Sequence, residues 1–205
     1  MDKIDREFFY AGWRLHFGKL QQPLVDRVNF LLDEFDKSTV FDTKAKIAYA
    51  LATIKRETAE TFAPVKEGYW ITKNRVQTLY NYYYKNNRPA LRTIFPNGLA
   101  GTNYLGRGYV QATHNFNAEK LQNRTGKPYV SNPDLLLEPD NAFEAMEVGM
   151  NEGIYTGKKL SNYFTDGAYD FVNARRIING LDAAKEIAGN AELFFNIIKF
   201  ENGEN

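Results

Sequence analysis

The chain has 205 residues, a formal net charge of +1, 43% hydrophobic residues, two histidines and no cysteine. It therefore reads as a folded globular protein without disulfides, thiol nucleophiles or thiolate metal sites, and with no general electrostatic case for nucleic acid or a membrane surface as partner. His16 and His114 are too few and too far apart for a metal motif, so neither metal nor cofactor is expected.

Residues 5–17 carry Phe9, Trp13 and Phe17 at four-residue intervals, a helix that Gly18 ends. Leu24, Val28, Leu31, Leu32 and Phe35 mark a second helix, with Pro23 near its first turn. Asp42 or Thr43 is the expected N-cap of a third, in which Ile47, Ala50, Leu51 and Ile54 form one buried face. Pro64 then interrupts. From 69 to 106, Tyr69, Trp70, Tyr80, Tyr82, Tyr83, Tyr84 and Phe95 are interleaved with Asn, Arg and Lys and punctuated by Pro89, Pro96-Asn97-Gly98, Gly101 and Gly106-Arg107-Gly108. That pattern reads as turns and short extended pieces, the place for a β-hairpin or cleft-lining loops. Helical signals return at 114–124, 139–152, 168–178 and 184–200; Pro133 and Pro139 bracket a loop, and Asn179-Gly180 is a helix stop. The fold class expected is mainly α (α+β): one domain over 1–205, with two helical lobes flanking a cleft and a small β-hairpin or irregular segment lining it.

Stepping on by three from Ile54 reaches Glu57, so an acid continues an apolar stripe. A carboxylate half-buried at the lip of a core holds its proton more readily than one in water, which suits a general acid. The competing reading is an ion pair with Lys55, Arg56 or Arg175. Glu67 lies ten residues on, just before Gly68-Tyr69-Trp70. Two such acids across a cleft are what glycoside hydrolysis uses: one protonates the leaving oxygen, and the other attacks the sugar or activates water, according to a gap of ~5 Å or ~6.5–9.5 Å. Gly106-Arg-Gly-Tyr-Val-Gln-Ala-Thr-His-Asn-Phe-Asn117 adds glycines for close backbone approach, then Gln111, Thr113, Asn115 and Asn117 at alternating positions. In an extended segment these uncharged groups share one face and suit sugar hydroxyls; the plainer reading is a turn into a helix with Thr113 as N-cap. Tyr69 and Trp70 adjoin Glu67 and are the aromatics expected to meet substrate.

These pieces together resemble glycoside hydrolase family 19 and its lysozyme-superfamily relatives, endolysins in particular. The matching segments are Leu51-Ala-Thr-Ile-Lys-Arg-Glu-Thr58, Pro64-Val-Lys-Glu-Gly-Tyr-Trp70, Gly106-Arg-Gly-Tyr-Val-Gln-Ala-Thr113, Asn132-Pro-Asp134 with Pro139-Asp140, and Asn173-Ala-Arg-Arg-Ile-Ile-Asn-Gly180, in the family's order. The resemblance implies a lysozyme-like, mostly helical, metal-free inverting enzyme. In it Glu57 is the general acid, Glu67 the second carboxylate and Thr113 a holder of the attacking water, while Gln111, Asn117 and Asn179 bind sugar. Arg56 stands where the family usually has His, Ala59-Glu60 where Gly-Gly is common, Ala112 for Leu and Leu181 for a second Gly. The expected substrate is the β-1,4-linked aminosugar backbone of bacterial peptidoglycan, with chitin as alternative and a non-catalytic glycan-binding domain as the alternative of another class. The expected partners are thus glycan strands, met by a monomer without nucleic acid or membrane insertion. The charged start, Met1-Asp-Lys-Ile-Asp-Arg-Glu, is unlike a secretory signal and no apolar run reaches membrane-spanning length. Cytoplasmic synthesis is therefore expected, with release to the wall through a pore, a phage particle or a secretion machine.

Overall fold

The computed structural model describes residues 3–201. Helix α1 (Arg6–Phe17) is capped by Asp5, whose side chain accepts from Phe8 N at 2.9 Å, and ends at Gly18 with φ 84°. Helix α2 (Gln22–Lys37) has proline in its first turn and buries Val28, Leu31, Leu32 and Phe35. Helix α3 (Lys44–Glu57) is capped by Thr43, which decides between the two caps the sequence offered. The expected single buried face is too narrow a description of α3. Every residue from Ala45 to Ile54 is buried apart from Lys46, because small side chains at 45, 48, 50 and 52 let neighbours approach on all sides.

The chain divides into two compact units, the first running to Phe62 and resuming at Met150, the second spanning Ala63–Gly149. The second unit opens with strand β1 (Val65–Lys66), followed by helices α4 (Arg75–Asn86) and α5 (Arg88–Ile94). These helices correct the expectation of turns and extended pieces over 69–106. Val76, Leu79, Tyr80 and Tyr83 fall at i, i+3, i+4 and i+7, and with Ile94, Phe95 and Leu105 they make a local core. Asn87 caps α5, accepting from Ala90 N at 3.2 Å, with Pro89 in its first turn. The β-pairing flanks this segment instead of lying inside it: β1 runs antiparallel to β2 (Arg107–Gly108), with Val65 opposite Gly108 and Lys66 opposite Arg107. Helix α6 (Asn115–Thr125), a 3-10 turn at Pro133–Leu137 and helix α7 (Pro139–Glu152) follow.

In the returning part of the first unit, the helix expected over 168–178 is largely replaced. Strands β3 (Phe164–Thr165) and β4 (Ala168–Tyr169) pair about a turn whose Gly167 has φ 78°. Only then does α8 (Phe171–Ala174) begin, capped by Asp170, before a 3-10 turn at Arg175–Ile177. Helix α9 (Ala184–Ile197) packs along α3, and Phe194 joins Phe9, Trp13, Phe17 and Phe62 in an aromatic cluster. It stops three residues short of the expected 200, because the chain turns extended at Ile198 and Phe200 bridges Ile4.

Candidate active site

Glu57 is the last residue of α3. A carboxylate there meets the negative end of the helix dipole, so it needs a cation. Arg175, 3% exposed, supplies it: Nη1 donates to Glu57 Oε1 at 2.5 Å. Arg175 Nε donates to Asp182 O at 3.0 Å, which fixes the guanidinium. Of the three partners the sequence offered, Arg175 is the one realised; Arg56 lies 3.6 Å from Glu186 and Lys55 2.6 Å from Glu60. Tyr49, two turns before Glu57, donates to Ala174 O at 2.7 Å and so ties α3 to the residue preceding Arg175. Burial pushes its phenol far above the usual range. Asn179 is exposed, and its N–H donates to Arg175 O at 3.0 Å. Glu57 and Arg175 therefore meet in the first unit, and Asn179 follows by its backbone alone, its Oδ1 accepting from Gly180 N at 2.8 Å. After Glu57 the chain turns through Ala59 and Glu60 at φ 45° and 65°. These are the positions where Gly-Gly was noted as common, and left-handed backbone there costs a side chain that glycine lacks.

The second constellation lies wholly in the second unit. Glu67 has no periodicity to orient it, yet both its oxygens are held: Oε1 accepts from Tyr83 OH at 2.7 Å and Oε2 from Gly106 N at 3.1 Å. Its own N–H donates to Gly106 O at 2.7 Å. A Cβ on Gly106 would lie 2.9 Å from Gln111 Oε1 and 3.1 Å from Thr113 Oγ1, so a side chain there would displace the Gln111 amide and crowd Thr113. Glu67, Gln111 and Thr113 are thus brought around one glycine.

The segment carrying Gln111 and Thr113 is not the extended run expected. Gln111 is left-handed at φ 53°, which lets Ala112 pair back onto Arg107, and α6 starts at Asn115. Thr113 does not cap it; His114 occupies the N-cap position without a side-chain bond, and Thr113 Oγ1 donates to Gln111 O at 2.8 Å. Gln111 Nε2 donates to Val65 O at 2.9 Å and Gly108 O at 3.3 Å, leaving Oε1 as the free group. Asn117 lies inside α6 and is 5% exposed; its Nδ2 donates to Thr113 O at 2.9 Å, while its Oδ1 has no partner among the described residues. Tyr69 and Trp70 follow Glu67 on the surface, 38% and 67% exposed, edge to face at 5.2 Å.

Tyr83 and His114 are site neighbours that the sequence reading passed over. In the sequence Tyr83 is one of several interleaved aromatics of the 69–106 segment. Its position on the Val76–Leu79–Tyr80 face was the available signal, but nothing local names a hydroxyl's partner. Burial pushes the His114 imidazole below its usual range, with nearby Glu67 partly offsetting this. Its Nδ1 is 2.8 Å from Thr93 Oγ1, and its ring stacks on Phe116 at 5.0 Å. Tyr83→Phe removes the donor to Glu67 while keeping the packed ring. For the glycan hydrolysis expected from the sequence, kcat should fall about tenfold with KM within twofold, since one oriented hydrogen bond to a charged group is at stake. Steady-state kinetics on a soluble oligomer checks this; an unchanged kcat removes Tyr83 from the site.

The β1–β2 platform under Glu67 is clamped by Asp134, whose Oδ1 accepts from Arg107 Nε at 2.6 Å and Lys66 Nζ at 3.0 Å. Burial pushes the Asp134 carboxyl up, but the Arg107 and Lys66 bonds outweigh it and hold the group below its usual value. A depressed folded-state pKa adds stability above the ordinary Asp range (~3.9) that is lost as pH falls through the folded value. Asp134→Asn is therefore expected to destabilise the chain at pH 7, and its deficit against wild type should close below that range. Urea unfolding at both pH values measures it.

No family model and no curated protein matches the chain. Solved structures do. Chitinase C from Streptomyces griseus HUT6037 is 22% identical with TM-score 0.59, covering 98% of this chain and 95% of that one. A glutamate-to-glutamine mutant of chitinase C gives 21% and 0.62 over the same shares. A bacterial family 19 chitinase gives 21% and 0.54 over 95% and 96%. The fold is that of the family 19 chitinases. It is mainly α with small two-stranded sheets, as the ordered motifs implied. Among the described residues the family 19 fold here holds no cluster of three or more potential metal ligands, and no helix is long and apolar enough to cross a membrane.

Proposed function

We propose that the chain is a glycoside hydrolase that cleaves the β-1,4-linked aminosugar backbone of bacterial peptidoglycan by inversion, in the manner of an endolysin. What carries the reading is Glu67, both of whose oxygens are held, by Tyr83 and Gly106, beside Gln111 and Thr113; Glu57 makes the competing ion pair with Arg175 through Oε1 and has Oε2 left to carry the proton. Unpaired acids are common on surfaces. Acids oriented by dedicated donors in a glycosidase fold call for a catalytic account.

In this mechanism Glu57 gives its proton to the glycosidic oxygen, and Glu67 takes one from water as it attacks the anomeric carbon from the opposite face. The Thr113 hydroxyl, with its proton committed to Gln111 O, offers lone pairs to that water. The free Gln111 Oε1 accepts from sugar hydroxyl or acetamido donors, and the exposed Tyr69 and Trp70 offer faces to pyranose rings; Asn117, whose Oδ1 is buried, acts instead by holding Thr113 O. Asn179 adds a polar contact on the Glu57 side.

Chitin is the second reading, favoured by the neighbours that are chitinases. Parallel digestion of purified peptidoglycan and chitin oligomers, read by mass spectrometry of the new reducing ends in heavy-oxygen water, separates the two. Release of peptidoglycan fragments with one heavy oxygen at the reducing sugar is expected. Preferential chitin turnover rejects the wall substrate, and wall binding without new reducing ends rejects an enzyme.

A further inference from the structure

The first unit contains a groove of about 550 Å³ at the Lys44 end of α3, away from Glu57. At 1.5 Å per residue the two ends of α3 are about 20 Å apart. The volume is in the range that takes a small ligand, and none of the residues placed in the candidate active site lines it.

One wall is aromatic. Tyr169 lies 5.2 Å from Phe195 and 4.5 Å from Phe171 between ring centroids, and it is 41% exposed. The hairpin turn at Asp166-Gly167 presents Tyr169 and Asp166 beside the N-terminal turn of α3. Four charged side chains line the groove: Asp42, Lys44, Lys46 and Asp166. Lys46 is held by Asp42 at 2.6 Å. Lys44 Nζ stands 4.6 Å over the Phe195 ring, and neither it nor Asp166 has an ionic partner among the described residues.

These features select a chemistry. The charges cancel, so the occupant carries no net charge. An exposed aromatic face wants an apolar one, which the C–H face of a pyranose offers while its edge stays polar. A free ammonium donor and a free carboxylate acceptor match an occupant that offers an acceptor and a donor on one rigid group, as an acetamido group does with its C=O and N–H. We propose that this groove is a second, non-catalytic site for an N-acetylated aminosugar unit. Its ring lies on Tyr169, Lys44 donates to the acetamido oxygen, and Asp166 accepts from the acetamido N–H. The assignment rests on the aminosugar-polymer reading above and adds an anchor to it. A polymer held at a second point is kept at high local concentration, whereas a short oligomer gains nothing.

The test is a titration of the isotope-labelled full chain, carrying Glu57→Gln to stop turnover, with a tetramer of N-acetylglucosamine followed by NMR. Two separate sets of resonances are expected to shift, one at Lys44, Tyr169 and Phe195 and one around Glu67 and Trp70. Tyr169→Ala and Lys44→Gln, each with an unchanged circular dichroism spectrum, should abolish the first set only. In the otherwise wild-type enzyme they should weaken binding to insoluble polymer about fivefold to tenfold, with short-oligomer turnover within twofold. Shifts confined to the Glu67 set overturn the second site and leave the functional reading intact. Shifts nowhere overturn the second site, and the wall digestion above then decides the functional reading by itself.

Discussion

Glu57→Gln is expected to lower hydrolysis of purified cell walls by about a thousandfold, within the 10²–10⁴ range that a positioned general acid contributes. The amide cannot give a proton to a leaving oxygen, yet it keeps the shape of the side chain and an Oε1 that still accepts from Arg175. The variant should therefore fold, and thermal unfolding beside reducing-end release tells lost chemistry from lost structure. A folded Glu57→Gln protein that lyses walls like wild type sinks the assignment of Glu57, and with it the mechanism.

Arg175→Ala carries the largest expected stability loss. Arg175 is 3% exposed and Glu57 16% exposed at the side chain. Truncation leaves a mostly buried carboxylate at the negative end of α3, removes the donor to Asp182 O and opens a void. Breaking one partner of a buried pair costs about 3–5 kcal/mol, a large share of the ~5–15 kcal/mol that holds a domain folded. Urea unfolding measures it. Arg175→Lys should recover only part, because a single ammonium lacks the fork that reaches Glu57 and Asp182 together. The double variant with Glu57→Gln separates pairing from packing: a cost well below the sum of the singles is expected, while strict additivity shows that the two side chains do not interact.

Much of the helical frame was legible in sequence. Phe9, Trp13 and Phe17, the 24–35 run and the Thr43 cap all mark elements through contacts within four or five residues, the range over which period and capping act. Helices α4 and α5 carried the same signal at Val76, Leu79, Tyr80 and Tyr83, but abundant aromatics and the Pro-Gly punctuation outweighed it. The turn-rich parts proved to be 69–74 and 95–106. Strands β1 and β2 left no trace, since two-residue strands have no period and their pairing joins Lys66 to Arg107. Hairpin β3–β4 was hidden for the same reason of length.

The site divides along the same line. By itself the sequence determined that an acid ends an apolar helix, that a second acid precedes an aromatic pair, and that a glycine-rich polar run follows, in the order of family 19. That order implied a fold the comparisons bear out. Tertiary structure alone decided which cation holds Glu57: Arg175, 118 residues away, and neither adjacent basic residue. It alone gave Glu67 its direction, through a tyrosine 16 residues on and a glycine N–H 39 residues on. The reason is physical. Periodicity and caps are properties of neighbours along the chain, whereas charge pairing and hydrogen bonding depend on distance in space, which only the packed core sets.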